Sequence, residues 1–303
     1  MLHTDIYTIA GPGLDAFSFP ENAALLVVGD AHGQSGALRD LLDLTGQMTT
    51  PGKRRTLVFL GDLIDRGPDS TGCLDAAFHE AGHRAAADTV AHLPGNHELM
   101  LADTLDAVAK GPDFARMSEI PGIWLMNGGW AFLAEAIDIE PRDDMIAMTD
   151  KIPALADMLA TRFPGDFARI IRGWPSHVRL GDALCVHAGI RPKRDQAATL
   201  DKPQNGHLSD IDHWAWIRDP FLKWQRGWPL DASPDRGALV LHGHTAPATV
   251  RVGKSITQDS LREVFCRMHT NARICLDGGS AQSVGVAGAV LTSDGVRLLF
   301  APV

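Results

Sequence analysis

The sequence predicts an α/β (α+β) fold, and three observations predict it. Short apolar runs rich in strand formers recur along the chain, each ends in glycine beside Asp, Asn or His, and helical periodicity fills several of the intervals. The runs at 25–28, 56–60 and 89–93 lead into Gly29-Asp30-Ala31-His32-Gly33, Gly61-Asp62-Leu63-Ile64-Asp65-Arg66-Gly67 and Pro94-Gly95-Asn96-His97-Glu98. Those at 183–186 and 238–241 lead into His187-Ala188-Gly189 and His242-Gly243-His244-Thr245. Polar groups so placed collect at the carboxyl edge of a sheet, where open α/β sheets bind ligands.

In chain order, the turn-rich lead-in before Leu25 adds at most an edge strand and carries no chemistry. Leu38, Leu41, Leu42 and Leu44 predict a helix over 35–47; Leu74, Ala77 and Phe78 predict a second over 70–82. Alternation of these helices with the first three strands makes the strands parallel, with right-handed crossovers. From 99 to 175 the pattern turns helical, cut by proline and glycine into short pieces, and reads as an insertion within a single domain spanning 1–303. Its tryptophans, Trp124, Trp130 and Trp174, read as packing residues.

Residues 177–187 read as two strands about a Gly181-Asp182 turn, and 191–212 as loop. Order returns at 213–220, with Arg218 just before Pro220, and 255–268 reads as helix. A strand at 272–276 and a hairpin at 287–300 around Ser293-Asp294-Gly295 close the chain. Strands clustered so late suggest a second sheet.

At 303 residues, with 45% hydrophobic and 21% charged residues, the chain can bury a sizeable core and is neither disordered nor fibrous by composition. No apolar run approaches the roughly 20 residues a bilayer span needs. Residues 1–10 lack the charged and apolar regions of a secretory signal, so the cytoplasm is the expected compartment. Four cysteines without CxxC spacing, in apolar surroundings, read as buried thiols. A net charge of −9 gives no electrostatic footprint for DNA, and no membrane contact is expected.

The strand-end residues offer oxygen and nitrogen donors without a thiolate, a set suited to manganese, iron or zinc, and so many together read as a site for two divalent ions. These motifs resemble the phosphoprotein phosphatase branch of the calcineurin-like metallophosphoesterases, bacterial type: GDxHG at 29–33, GDxxDRG at 61–67, GNHE at 95–98, then His187-Ala188-Gly189 and Gly243-His244. Asp277-Gly278-Gly279 is similar to the family's closing strand. The resemblance implies a β-sandwich flanked by helices, with two metal ions at its upper edge.

Carried over residue by residue, it implies Asp30, His32 and Asp62 around one ion, and Asp62, Asn96, His187 and His244 around the other. Asp62 would bridge them, and a shared hydroxide would attack phosphorus. It further implies His97 as general acid oriented by Asp65, with Arg66 and, on a looser match, Arg218 gripping phosphate. His242, two residues before His244, is the alternative ligand, and Glu98 reads as a structural acceptor of backbone or histidine hydrogen bonds. The expected function is metal-dependent hydrolysis of phosphomonoesters such as phosphoserine and phosphothreonine, and the expected partner is a phosphorylated substrate: a phosphopeptide, a small phosphomonoester or a dinucleotide. A dinucleoside polyphosphate hydrolase of the diadenosine tetraphosphate type is the second reading, and a metal-binding scaffold without catalysis the third. The length of 99–175 suggests a roof over the cleft, which would disfavour large folded phosphoproteins.

Overall fold

The computed structural model describes residues 5–9, 17–137, 145–163, 165–192, 196–224, 228–230, 233–251, 256, 263–267 and 272–303. Its strands are β1 (Asp5–Ile9), β2 (Ala23–Val28), β3 (Arg54–Phe59), β4 (Thr89–His92), β5 (His177–Leu180), β6 (Ala183–Val186), β7 (Trp228–Leu230), β8 (Ser233–His242), β9 (Cys266–Arg267), β10 (Arg273–Cys275), β11 (Gly285–Thr292) and β12 (Gly295–Pro302). They form two sheets, ordered β1-β12-β11-β2-β3-β4 and β5-β6-β8-β10-β9, with β7 paired to β8.

Within the first sheet β2, β3 and β4 run parallel, with Val28 opposite Phe59 and Phe59 opposite His92. In the second, β6, β8 and β10 run parallel. Alternate residues of each strand serve different cores, as the period of two requires. Leu25, Val27 and Val58 face Leu239, Leu241 and Ile274 between the sheets, while Leu26, Val28, Leu57 and Phe59 face the helices.

The closing hairpin β11–β12 joins the first sheet, antiparallel to β2, instead of contributing to the second as its late position suggests. Gly288 of β11 explains the fit: a Cβ there would meet Leu41 at 3.1 Å, so the bare backbone leaves room for α1 (Ser35–Gln47). The lead-in does supply an edge strand, β1, on β12.

The second crossover is helical from α2 (Ser70–Asp75) through a π-turn at Ala76–Glu80 into α3 (Ala81–Arg84). Next come α4 (Asn96–Ala109), α5 (Pro112–Met117), α6 (Glu119–Trp124), a π-turn at Leu125–Gly129, α7 (Trp130–Ala136), α8 (Met145–Arg162) and α9 (Phe167–Arg172). Trp124 is fully buried and Trp174 stacks on His92 at 5.2 Å, but Trp130 is 44% exposed and so is not the packing residue expected.

Residues 191–212 are not all loop. They hold α10 (Gln196–Leu200) and a 3₁₀ turn at His207–Ser209, each too short to leave a periodic signal. Two short helices, α11 (Asp219–Leu222) and α12 (Ala248–Arg251), flank β8. Much of the expected helix at 255–268 lies outside the described residues, and its Cys266 and Arg267 are strand, paired antiparallel with β10. Cys73, Cys185 and Cys275 are buried free thiols. Among the described residues, no helix is long and apolar enough to cross a membrane.

Candidate active site

The segments after the six parallel strands meet at one edge of the sandwich. Asp30 follows β2, Asp62 follows β3 and Asn96 to Glu98 begin α4 after β4; His187 follows β6, His244 follows β8 and Asp277 follows β10. Contacts cross between the sheets, with the backbone N–H of His244 donating to Asp30 Oδ2 at 2.8 Å and His187 Nε2 lying 3.5 Å from Asp62 Oδ2. All of these residues are buried.

Local backbone is unusual here. Of the eight non-glycine residues with positive φ among the described residues, five are His32, Asp62, Asp65, Arg66 and His244. Such conformations are uncommon for side chains of this size and persist where surrounding structure enforces them. Two glycines make the space: a Cβ at Gly95 would lie 2.1 Å from Asp62 Oδ1, and one at Gly243 would lie 1.9 Å from Asp30 Oδ1.

Glu98 ties the segments together by accepting the N–H groups of Asp62, Leu63 and Gly95 at 2.8, 2.7 and 2.9 Å. Burial and the nearby Asp62 nevertheless push its carboxyl up to about 7. Burial likewise raises Asp277 to about 6 and, with Asp277 and Asp62 adding repulsion, holds Asp30 well above the carboxylate range. Burial depresses the imidazoles instead, His32 to about 3 and His187 and His244 also downward, so they present neutral lone pairs.

The hydrogen bonds decide which lone pairs face inward. His187 Nδ1 lies 2.8 Å from the carbonyl of Leu60 and His32 Nδ1 lies 3.0 Å from that of Ile64, so each Nδ1 carries the proton. Their Nε2 atoms are then acceptors: that of His187 is aimed at another acceptor, Asn96 Oδ1 (3.1 Å), and that of His32 lies between Asp62 Oδ2 (3.6 Å) and Arg66 Nη1 (3.4 Å). His244 Nδ1 approaches the same Asn96 oxygen at 2.8 Å. Asp30 Oδ1 and His244 Nε2 are buried without a partner.

Buried polar groups ordinarily find partners, and acceptors converging beside mutually repelling carboxylates favour positive charge there. Ligand atoms of His32, Asp62 and His97, and of Asp62, His187 and His244, lie within 4.8 Å of one another, with Asp62 common to both groups. Divalent cations fit this donor set.

His97 differs from the other imidazoles. Burial lowers it, but Asp62 and a hydrogen bond to Asp65 Oδ2 at 2.7 Å outweigh burial and raise it above its usual value. Its Nε2 is buried with no partner. Trp124 Nε1 donates to both Asp65 oxygens, at 3.2 and 3.0 Å.

Arg66 is exposed at the rim, its Nη1 3.4 Å from His32 Nε2 and its Nε donating to the carbonyl of Asn127 at 3.2 Å. Arg218, also exposed, is near enough to feel the charges of Asp62, Arg66 and Asp277. Asp30, His32, Asp62, Asp65, Arg66, Asn96, His97, His187 and His244 are thus brought together, whereas Arg218 makes no hydrogen bond or ion pair with them among the described residues. His242 turns elsewhere, its Nδ1 at the Gly243 carbonyl and its Nε2 3.1 Å from Arg273.

Sequence reasoning missed Trp124 and gave Asp277 no role in the site. The signal for Asp277 was its place after a strand, like the others; that for Trp124 was its place at the head of the run Trp124-Leu125-Met126-Asn127-Gly128-Gly129, which the sequence links to the second reading but not to Asp65.

A family model described as calcineurin-like phosphoesterase matches residues 23–276. "Serine/threonine-protein phosphatase 1" of Salmonella typhimurium (strain LT2) is 33% identical over 203 residues, 65% of this chain and 79% of that protein. "Bis(5'-nucleosyl)-tetraphosphatase, symmetrical" of Paracidovorax citrulli (strain AAC00-1) is 24% identical over 253 residues, 73% of this chain and 81% of that protein. A solved structure of a cold-active protein tyrosine phosphatase aligns with a TM-score of 0.47 at 17% identity, covering 93% of this chain and 81% of the other. The family match reaches from β2 to the residue before Asp277 and so takes in Asp30, Asp62, Asn96, His187 and His244: the chain belongs to the calcineurin-like phosphoesterases.

Proposed function

We propose that the chain is a metal-dependent phosphatase of phosphomonoesters, with phosphoserine and phosphothreonine peptides as its substrate class. The observation that carries this reading is the buried His97–Asp65 pair beside the cluster of Asp62, Asn96, His187 and His244, with Arg66 at the rim. Asp30, His32, Asp62, Asn96, His187 and His244 would hold two divalent cations, with manganese the first choice for such donors. Bound there, the cations supply Lewis acidity at phosphorus and a water acidic enough to act as nucleophile near neutral pH.

The side chains do the rest. Arg66 presents a planar fork to phosphate oxygens, steadied by the Asn127 carbonyl, and Arg218 adds a second positive charge. His97 keeps its Nδ1 proton on Asp65 and gives the Nε2 proton to the departing alkoxide. Asp65 offsets the charge of the imidazolium that donates it.

The Salmonella relative, at 33% identity, favours this substrate class; the Paracidovorax relative, aligned over 73% of the chain, favours dinucleoside polyphosphates instead. A direct comparison decides: kcat/KM for a phosphothreonine peptide and for diadenosine tetraphosphate, each with Mn²⁺. The peptide is expected to be preferred. A tenfold or larger preference for the dinucleotide replaces this reading with the second, and hydrolysis of neither rejects both.

A further inference from the structure

Asp65, Trp124 and His97 are each fully buried, and the three form a chain of hydrogen bonds from α6 to the proposed proton donor. The residues after Trp124 hold Arg66 as well. In the π-turn Leu125–Gly129, the carbonyl of Asn127 accepts from Arg66 Nε and that of Gly128 accepts the Arg66 backbone N–H at 3.1 Å. Gly128 has φ +111, and a Cβ on it would lie 2.6 Å from Arg66 Cγ, so the close approach needs glycine. Seven residues on, Glu135 accepts the N–H groups of Ser70 and Thr71 at 2.5 and 2.8 Å, and Ser70 Oγ accepts the N–H of Asp65 at 3.0 Å. One segment, 124–135, therefore fastens the loop 65–71 at Asp65, Arg66, Ser70 and Thr71.

We infer that Trp124 is a positioning residue for the His97–Asp65 pair. An indole nitrogen only donates. Shared between the two oxygens of Asp65, its N–H fixes the rotation of a carboxylate whose terminal torsion is otherwise broad. That keeps Oδ2 on His97 Nδ1 and leaves His97 Nε2 facing the site. The indole also packs, since a Cβ on Gly129 would lie 2.3 Å from its ring. Phenylalanine can supply most of that bulk but no hydrogen bond, and this separates positioning from filling.

The inference rests on His97 being the proton donor, so the test carries both. In the full chain with Mn²⁺, kcat and KM are measured for an alkyl phosphate, whose leaving group needs a proton, and for 4-nitrophenyl phosphate, whose leaving group needs it far less. For Trp124→Phe, kcat on the alkyl ester is expected to fall about tenfold, part of the roughly 10²–10⁴-fold that general acid catalysis contributes. A clearly smaller fall is expected on the aryl ester, with KM little changed for either.

In the metal-free protein, the His97 Nδ1 proton resonance in the nuclear magnetic resonance spectrum is expected to broaden or disappear in the variant. Equal losses on both esters, or an unaltered resonance, overturn the inference. His97→Asn is measured alongside: no leaving-group dependence there removes His97 as the acid. Dependence in His97→Asn without it in Trp124→Phe removes only the positioning role. If Trp124→Phe does not fold, benzothienylalanine at 124 keeps the bicyclic shape and deletes the N–H alone, and the same outcomes decide.

Discussion

The carboxylate of Glu98 accepts the backbone N–H of Asp62 at 2.8 Å, which joins the first turn of α4 to the loop leaving β3. Because it also takes the N–H groups of Leu63 and Gly95, one side chain satisfies three buried donors from two strand ends. This holds Asp62 in its left-handed backbone conformation, φ +53, against its intrinsic preference. Replacing Glu98 with Gln removes one acceptor oxygen and turns an NH₂ group towards donors. Stability is expected to drop by about 1–3 kcal/mol, the cost of an unsatisfied buried donor. Urea unfolding of Glu98→Gln would show it as a lower midpoint, and an unchanged midpoint would remove Glu98 from this role.

Asp62 is common to both groups of potential ligands, so it is the residue whose loss should reach furthest. Adding Mn²⁺ to chelator-treated protein is expected to raise its melting temperature, since a ligand at 100 times its Kd stabilises by about 2.7 kcal/mol. Asp62→Asn keeps the shape and deletes the charge; it should abolish most of that rise and lower bound metal at both positions. Two equivalents of metal retained in Asp62→Asn, by elemental analysis, would contradict a shared carboxylate.

Much of this arrangement was legible in the sequence because its signals are local. An apolar run followed by Gly61-Asp62 declares both a strand and the residue at its end, and the parallel order of β2, β3 and β4 follows from the helices between them. Partner choice is not local. Nothing in 287–300 says that the hairpin lies beside β2, because that depends on α1 meeting the bare backbone of Gly288. The positive φ of His32 and His244 is equally hidden, being imposed by tertiary contacts on residues that do not favour it. Trp124 reads as packing for the same reason: only the fold shows that its N–H meets Asp65, 59 positions away.

Arg66 stands at the rim with its Nε committed to Asn127 and its Nη1 3.4 Å from His32 Nε2, which turns the planar guanidinium towards the site. A lysine keeps the charge but loses that planar geometry, so Arg66→Lys is not a conservative change at a phosphate site. The Kd of inorganic phosphate for the Mn²⁺-loaded protein is expected to rise about tenfold, roughly 1.4 kcal/mol. Titration calorimetry reads it directly, and equal affinities in parent and variant would exclude Arg66 from phosphate binding.

His92 lies outside the candidate site and gives a pH dependence that belongs to the fold. Its ring stacks on Phe59, Phe78 and Trp174 at 5.2, 4.9 and 5.2 Å, with Nε2 donating to the Ala77 carbonyl at 3.2 Å. Burial lowers it from the ordinary 6.5 to about 4, and the Ala77 hydrogen bond offsets only part of this. Between those values the unfolded chain binds a proton that the native protein refuses, so stability rises with pH across the window. The contribution is fully present above 6.5 and lost as pH falls through 4, amounting to about 3 kcal/mol. His92→Phe keeps the stacking, gives up the hydrogen bond at about 1 kcal/mol, and deletes the titration. The gap in unfolding free energy between parent and variant should therefore shrink or reverse from pH 7 to pH 4.5 in metal-free protein. Parallel profiles across that range would show that His92 is protonated as easily in the native state as in the unfolded chain.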